Sequence, residues 1–304
     1  MKSGHLGVWA CLLLGALTLE VSAADEATQV AVSILPQKYF AERIAGEKAK
    51  VLVIVPQGAN PATYEPKPSQ MRKLADSRVY FAIGVPFEKA WLGKMTAVNP
   101  GMEVVYTDRV VTKSIMPSHH HNGAKDHLTH SKIRGAGSPE ATALDPHIWL
   151  SPPLVKIQAR TIADAIIKTD PDDREFYENN LRQFQADLDR LDDQIREIFK
   201  DTGHGKEFFV FHPSWGYFAE AYGLNQIPLE VEGKEPSATE MTEWVKYATA
   251  KGIKVIFVQP QFPKKGAEAI AREIGGRIAI ADPLREDWIT NLLEMAEKVK
   301  AALR

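Results

Sequence analysis

Cysteine is almost missing from this chain: one, Cys11, stands in 304 residues. It lies inside an apolar N-terminal run with almost nothing hydrophobic before it, which argues against lipidation there. A chain cleaved beyond that point holds no thiol, so disulfides and thiolate ligands are excluded, and any metal must be held by nitrogen and oxygen. An excess of one charge is also lacking. Lys and Arg number 37 against 39 Asp and Glu, a formal charge of −2, which offers no basic field to nucleic acid or an anionic membrane. Long apolar runs are missing too. Val8 to Leu19, broken by Gly15 and Thr18, falls short of the roughly 20 residues a transmembrane helix needs. With Lys2 before it and Val21-Ser22-Ala23 after it, the run reads as a secretory signal peptide, residues 1–23, cleaved after Ala23. No strand is followed by Gly-x-Gly-x-x-Gly, which removes dinucleotide binding, and no His-Glu-x-x-His pattern marks a metallohydrolase.

What is present is ordinary globular composition, 44% hydrophobic and 25% charged, arranged as strands alternating with helices. Gln29 to Ile34, the continuous apolar run Val51 to Val55, and Val79 to Ile83 read as strands, with helical stretches from Pro36 and Pro86. Phe208 to Phe211, a segment near Leu229, Lys254 to Val258 and Arg277 to Ala281 continue the pattern. Ser237 to Glu240 supplies a capping box for another helix. Such alternation predicts α/β units with parallel sheets. Between the two halves, Ser151-Pro152 starts a helix with Leu154, Ile157, Ile162 and Ile166 as its apolar stripe. Asp170-Pro171 starts a second, carrying Tyr177, Leu181, Phe184, Leu188, Leu191, Ile195 and Ile198. That spacing suits one long helix packed on its own domain, or a coiled-coil dimer. The expected organisation is a first lobe over 24–150, a connecting helix over 151–170 and a second lobe over 171–304.

Ligands of open α/β sheets sit beyond the carboxyl ends of strands. Phe208 to Phe211 runs into His212, Arg277 to Ala281 runs into Asp282, and His147 stands in Asp145-Pro146-His147-Ile148-Trp149 just before the connecting helix. Two imidazoles and a carboxylate suit a borderline divalent ion, zinc first and manganese second. Each also has an ordinary reading: a histidine at a strand end is commonly a hydrogen-bonded loop residue, and Asp282 before Pro283 can start the last helix.

The chain resembles the periplasmic metal receptors of zinc- and manganese-type ABC importers over nearly its whole mature length. The resemblance is carried by Pro56-Gln57-Gly58-Ala59-Asn60-Pro61, Tyr64-Glu65-Pro66, Asp145-Pro146-His147-Ile148-Trp149-Leu150, His212-Pro213-Ser214-Trp215, Glu235-Pro236-Ser237, Gln259-Pro260-Gln261-Phe262 and Asp282-Pro283-Leu284. It implies two Rossmann-like lobes bridged by one rigid helix, with His147, His212 and Asp282 holding the ion in the cleft. It further implies a periplasmic, monomeric receptor rather than an enzyme, which passes its ion to a membrane permease. One departure stands out: the family's usual histidine before Tyr-Glu-Pro is Ala62 here, leaving water, a loop histidine or Glu65 to complete the coordination.

A patternless segment from Thr107 to Asp145 contains a histidine-rich stretch, 117–135, with His119, His120, His121, His127 and His130. Clustered neutral imidazoles bind zinc loosely without a formed pocket, and by resemblance such a loop favours zinc over manganese. Two other classes compete with the receptor. A zinc hydrolase would use the open fourth coordination position, and an adhesin or storage protein would use the fold without an importer.

Overall fold

The expected alternation is built twice, as two parallel four-stranded sheets. The structure, a computed structural model, describes residues 27–116, 144–230 and 234–303. The signal segment 1–23 and the histidines at 119, 120, 121, 127 and 130 lie outside the described residues.

In the first lobe β1 (Thr28–Val32), α1 (Leu35–Ala45), β2 (Ala49–Val53), α2 (Pro68–Leu74), β3 (Val79–Ala82), α3 (Pro86–Val98) and β4 (Glu103–Tyr106) follow in chain order. The sheet order is β2-β1-β3-β4, with every pair parallel. β3 is central and buried along its whole length. The apolar run Val51 to Val55, expected as a buried strand, instead supplies the edge strand β2. Val51 to Val53 are half-buried there because only one side has a neighbouring strand.

Two helices, α4 (Pro152–Thr169) and α5 (Arg174–Phe199), separate the sheets in the chain. Pro152 occupies the first helical position of α4, where its missing N–H costs nothing. The buried face is Val155, Ala159, Ile162, Ala163 and Ile166, and Ile157 is exposed. The stripe therefore sits partly on residues other than those expected, because small alanines let α5 approach closely. Asp170-Pro171 makes a turn, and α5 begins three residues later at Arg174. Tyr177, Leu181, Phe184, Leu188, Leu191 and Ile195 are all buried within the chain's own core. That burial removes the seam a coiled-coil partner would need.

In the second lobe β5 (Lys206–Val210), α6 (Gly216–Ala221), β6 (Leu224–Pro228), α7 (Ala238–Lys251), β7 (Val255–Val258), α8 (Lys265–Glu273), β8 (Arg277–Ile280) and α9 (Trp288–Ala302) repeat the plan. The sheet order is β6-β5-β7-β8, again parallel. The capping box of α7 is formed: Glu240 N–H donates to Ser237 Oγ and Ser237 N–H donates to Glu240 Oε2.

One apolar core spans both lobes, through α1, α4, α5 and α9. Phe40 of α1 meets Trp288 of α9 edge-on at 5.1 Å and Phe184 of α5 at 5.9 Å, all three fully buried. Each such ring contributes on the order of 1.5–3 kcal/mol by burial, so the lobes are joined by packing as well as by chain. A second core fills the space between the second sheet and α7 and α8, around Phe209, Phe211, Trp244 and Ile256. Strand order reverses between β1 and β3 in one sheet and between β5 and β7 in the other. Crevices for ligands open at those reversals.

Candidate metal centre

His212 lies just past β5 at the reversal point of the second sheet. A glutamine from the end of β7 holds its backbone on both sides. His212 N–H donates to Gln259 Oε1 at 3.1 Å, and Gln259 Nε2 donates to the His212 carbonyl at 2.9 Å. The imidazole stacks on Phe262, with ring centres 4.5 Å apart and planes at 21°. On its edge, Nδ1 lies 2.7 Å from Glu230 Oε1.

His147 approaches from the other lobe. It is buried, and its ring centre lies 5.2 Å from that of His212, the planes crossing at 69°. Asp145, two residues earlier, turns back on it. Its Oδ1 accepts the His147 backbone N–H at 2.9 Å and lies 2.6 Å from His147 Nδ1. Burial pushes the His147 imidazole below its ordinary pKa, against the opposing pull of Asp145. A neutral imidazole is the form that binds a cation. With both Nδ1 atoms turned toward carboxylates, each ring keeps Nε2 for another partner.

Asp282 follows β8 and is half-buried. Its Oδ1 accepts from Gln261 Nε2 at 2.8 Å and from the Leu284 N–H at 2.9 Å. Trp149 ties this turn to the His147 segment, its indole donating to the Pro283 carbonyl at 2.7 Å while its ring lies 5.0 Å from His147. The imidazoles are thus assembled as a pair, and Asp282 is tied to them through Trp149. Among the described residues no group of three or more His, Cys, Asp or Glu side chains is gathered closely enough to hold an ion. The donors that are present, imidazole nitrogens and a carboxylate oxygen, fit zinc chemistry.

Reading the sequence missed Glu230 and Gln259, which hold the ring and the backbone of His212, and Gln261, which holds Asp282. Gln259 and Gln261 stand within a motif already singled out. Glu230 has no local pattern that would mark it. Ala62 lies on an exposed turn, its N–H donating to Asn60 Oδ1 at 2.8 Å, and Glu65 is exposed as well.

The family pattern described as zinc-uptake complex component A, periplasmic (ZnuA), matches residues 30–302. The chain belongs to that family. The role that defines ZnuA is capture of substrate for an uptake complex, and it is not an enzyme. A crystal structure of ZnuA superposes with a TM-score of 0.82 at 41% sequence identity, covering 92% of this chain and 100% of that one. A 138–173 deletion mutant of ZnuA with zinc bound gives 0.80 at 41% identity, covering 91% and 98%. The high-affinity zinc uptake system protein ZnuA of Bacillus subtilis (strain 168) is 28% identical over 290 residues, 93% of this chain and 88% of its own. Among the described residues no helix is long and apolar enough to cross a membrane.

Proposed function

We propose that the mature chain captures zinc in the periplasm and hands it to the membrane permease of an ABC importer. His147, His212 and Asp282 hold the ion between the lobes. Residues 1–23 are the cleaved export signal, and the receptor works as a monomer, its lobes spanning 24–150 and 171–304 about the helix of 151–170. The observation that carries this reading is the imidazole pair at 5.2 Å, each ring backed at Nδ1 by a buried carboxylate. That arrangement leaves one Nε2 atom from each lobe for the ion. Zinc in a related structure of 41% identity and the family's defining role support the choice of ion.

Isothermal titration of the mature chain with zinc and with manganese tests the proposal. Zinc is expected to bind more tightly, and His147→Ala, His212→Ala and Asp282→Ala are each expected to weaken it by at least tenfold. Unchanged binding in both histidine variants would remove the site. His119, His120, His121, His127 and His130 form an auxiliary zinc-binding segment in this reading. Stoichiometry above one should therefore fall to one when 117–135 is deleted.

A further inference from the structure

Glu230 follows β6 by two residues and is pinned by its own backbone, whose N–H donates to the Phe211 carbonyl at 3.1 Å. Its side chain is 4% exposed. Oε1 faces His212 Nδ1 at 2.7 Å, whereas Oε2 is buried with no hydrogen-bond partner among the described residues. A buried carboxylate oxygen without a donor costs on the order of 1–3 kcal/mol or more, so a structure that keeps one needs a reason. Its counterpart Asp145 differs. Oδ1 of Asp145 takes a backbone N–H and a ring nitrogen within one tight turn, so Asp145 serves the local fold as well as His147.

We propose that Glu230 is a positioning residue for zinc capture, holding His212 in the tautomer that turns Nε2 to the ion and placing a buried negative charge behind the ring. This inference rests on the capture site proposed above. A carboxylate only accepts hydrogen bonds, so a neutral imidazole against it must carry its proton on Nδ1. In water the neutral histidine ring prefers its proton on Nε2, the form that cannot bind a metal there. Glu230 reverses that preference. Stacking on Phe262 fixes the ring plane, and Glu230 fixes which nitrogen faces the cleft. The ring itself stands between Glu230 and an ion on Nε2, so Glu230 acts through His212 and not as a ligand. A divalent cation held at Nε2 would draw charge from the ring and so strengthen the Nδ1–H···Oε1 bond.

The test measures zinc affinity by chelator competition, thermal stability, and the His212 ring tautomer by 15N NMR in the metal-free full chain. The variants are Glu230→Gln and Glu230→Ala. Wild type should show the proton on Nδ1. Glu230→Gln keeps an oxygen for that proton, so the tautomer should persist, with affinity lower by about tenfold through loss of charge. Glu230→Ala should move the proton to Nε2 and cost up to about a hundredfold, the range found for outer partners of metal-binding histidines. Partial rescue by Gln over Ala, at similar melting temperatures, is the expected signature. An unchanged tautomer and affinity in Glu230→Ala, or equal losses in both variants with the tautomer intact, overturns the inference. His212→Ala separates the two levels: normal zinc binding there sinks the capture site, whereas loss there with a silent Glu230→Ala sinks only the role of Glu230.

Discussion

Trp288 donates its indole N–H to the carbonyl oxygen of Trp149 at 2.8 Å, and Trp149 passes its own to the Pro283 carbonyl at 2.7 Å. The two buried indoles therefore cross-tie the segment of His147 to the turn of Asp282. Trp288 in turn packs on Phe40 of the first lobe. A hinge that opened the cleft would have to break both hydrogen bonds and part the shared core.

This relationship predicts that zinc loading leaves the overall shape nearly unchanged. Solution scattering of loaded and metal-free protein should superpose, and a change in radius of gyration typical of domain closure would contradict it. Trp149→Phe keeps an aromatic ring and removes the N–H donor to the buried Pro283 carbonyl. The expected loss is about 1–3 kcal/mol of stability, seen as a melting temperature lower by roughly 2–4 °C per kcal/mol. Zinc affinity should fall as well, because Asp282 immediately precedes Pro283.

Gly216 opens α6 where a side chain has no room. A Cβ there would lie 2.9 Å from Gln226 Nε2 and 3.1 Å from Asp145 Oδ2. Both crowded atoms are side-chain ends, so Gly216→Ala should fold and displace the carboxylate that orients His147. Destabilisation near the low end of overpacking, about 1 kcal/mol, should accompany a severalfold loss of zinc affinity by competition titration. Lost stability with wild-type affinity would show that Asp145 does not transmit the change.

Glu88 is a carboxyl buried in the first lobe. It accepts backbone N–H bonds from Ile83 and Gly84 and the hydroxyl of Ser33, with Asp108 nearby. Burial outweighs those donors and pushes it up to about 7. A carboxyl raised in the folded state binds its proton more tightly there than when unfolded. Its contribution is therefore intact below about pH 4.5 and is lost as pH rises to about 7. The difference amounts to about 3 kcal/mol. Urea unfolding at pH 5 and pH 8 should show wild type losing stability across that window and Glu88→Gln losing correspondingly less. Parallel pH dependences would refute the assignment.

Much of the fold was legible because parallel strands leave an unmistakable mark. Val79 to Ile83 and Phe208 to Phe211 are continuous apolar runs, and central strands covered on both faces demand that. Val51 to Val55 shows the limit of the signal, since an edge strand in the same kind of sheet is written with the same residues. His212 and Asp282 were visible as polar residues directly after such runs. His147 was visible through its Asp-Pro-His turn, although only folding places it 5.2 Å from His212. Glu230 was not legible. Its role depends on a contact across 18 positions, and a lone glutamate in a loop reads as solvated.

Ala62 carries the last prediction. The turn that bears it is held by its own backbone: Ala59 N–H donates to the Pro56 carbonyl at 3.1 Å and Tyr64 N–H to the Asn60 carbonyl at 3.0 Å. Below it, Tyr64 OH donates to Gln70 Oε1, and Gln70 Nε2 donates to the Ile54 carbonyl, each at 2.6 Å. A histidine at position 62 would thus be presented from a preformed turn and pay little ordering entropy on binding. Zinc favours four protein or solvent donors in a tetrahedron, and the proposed site supplies three. Ala62→His should therefore tighten zinc binding by at least tenfold and slow its release, measured by chelator competition and stopped-flow transfer. Fast release in the wild type would suit a receptor that surrenders its ion to a permease. No gain in Ala62→His would mean that another group of the chain already completes the coordination, with Glu65→Gln as the variant to examine first.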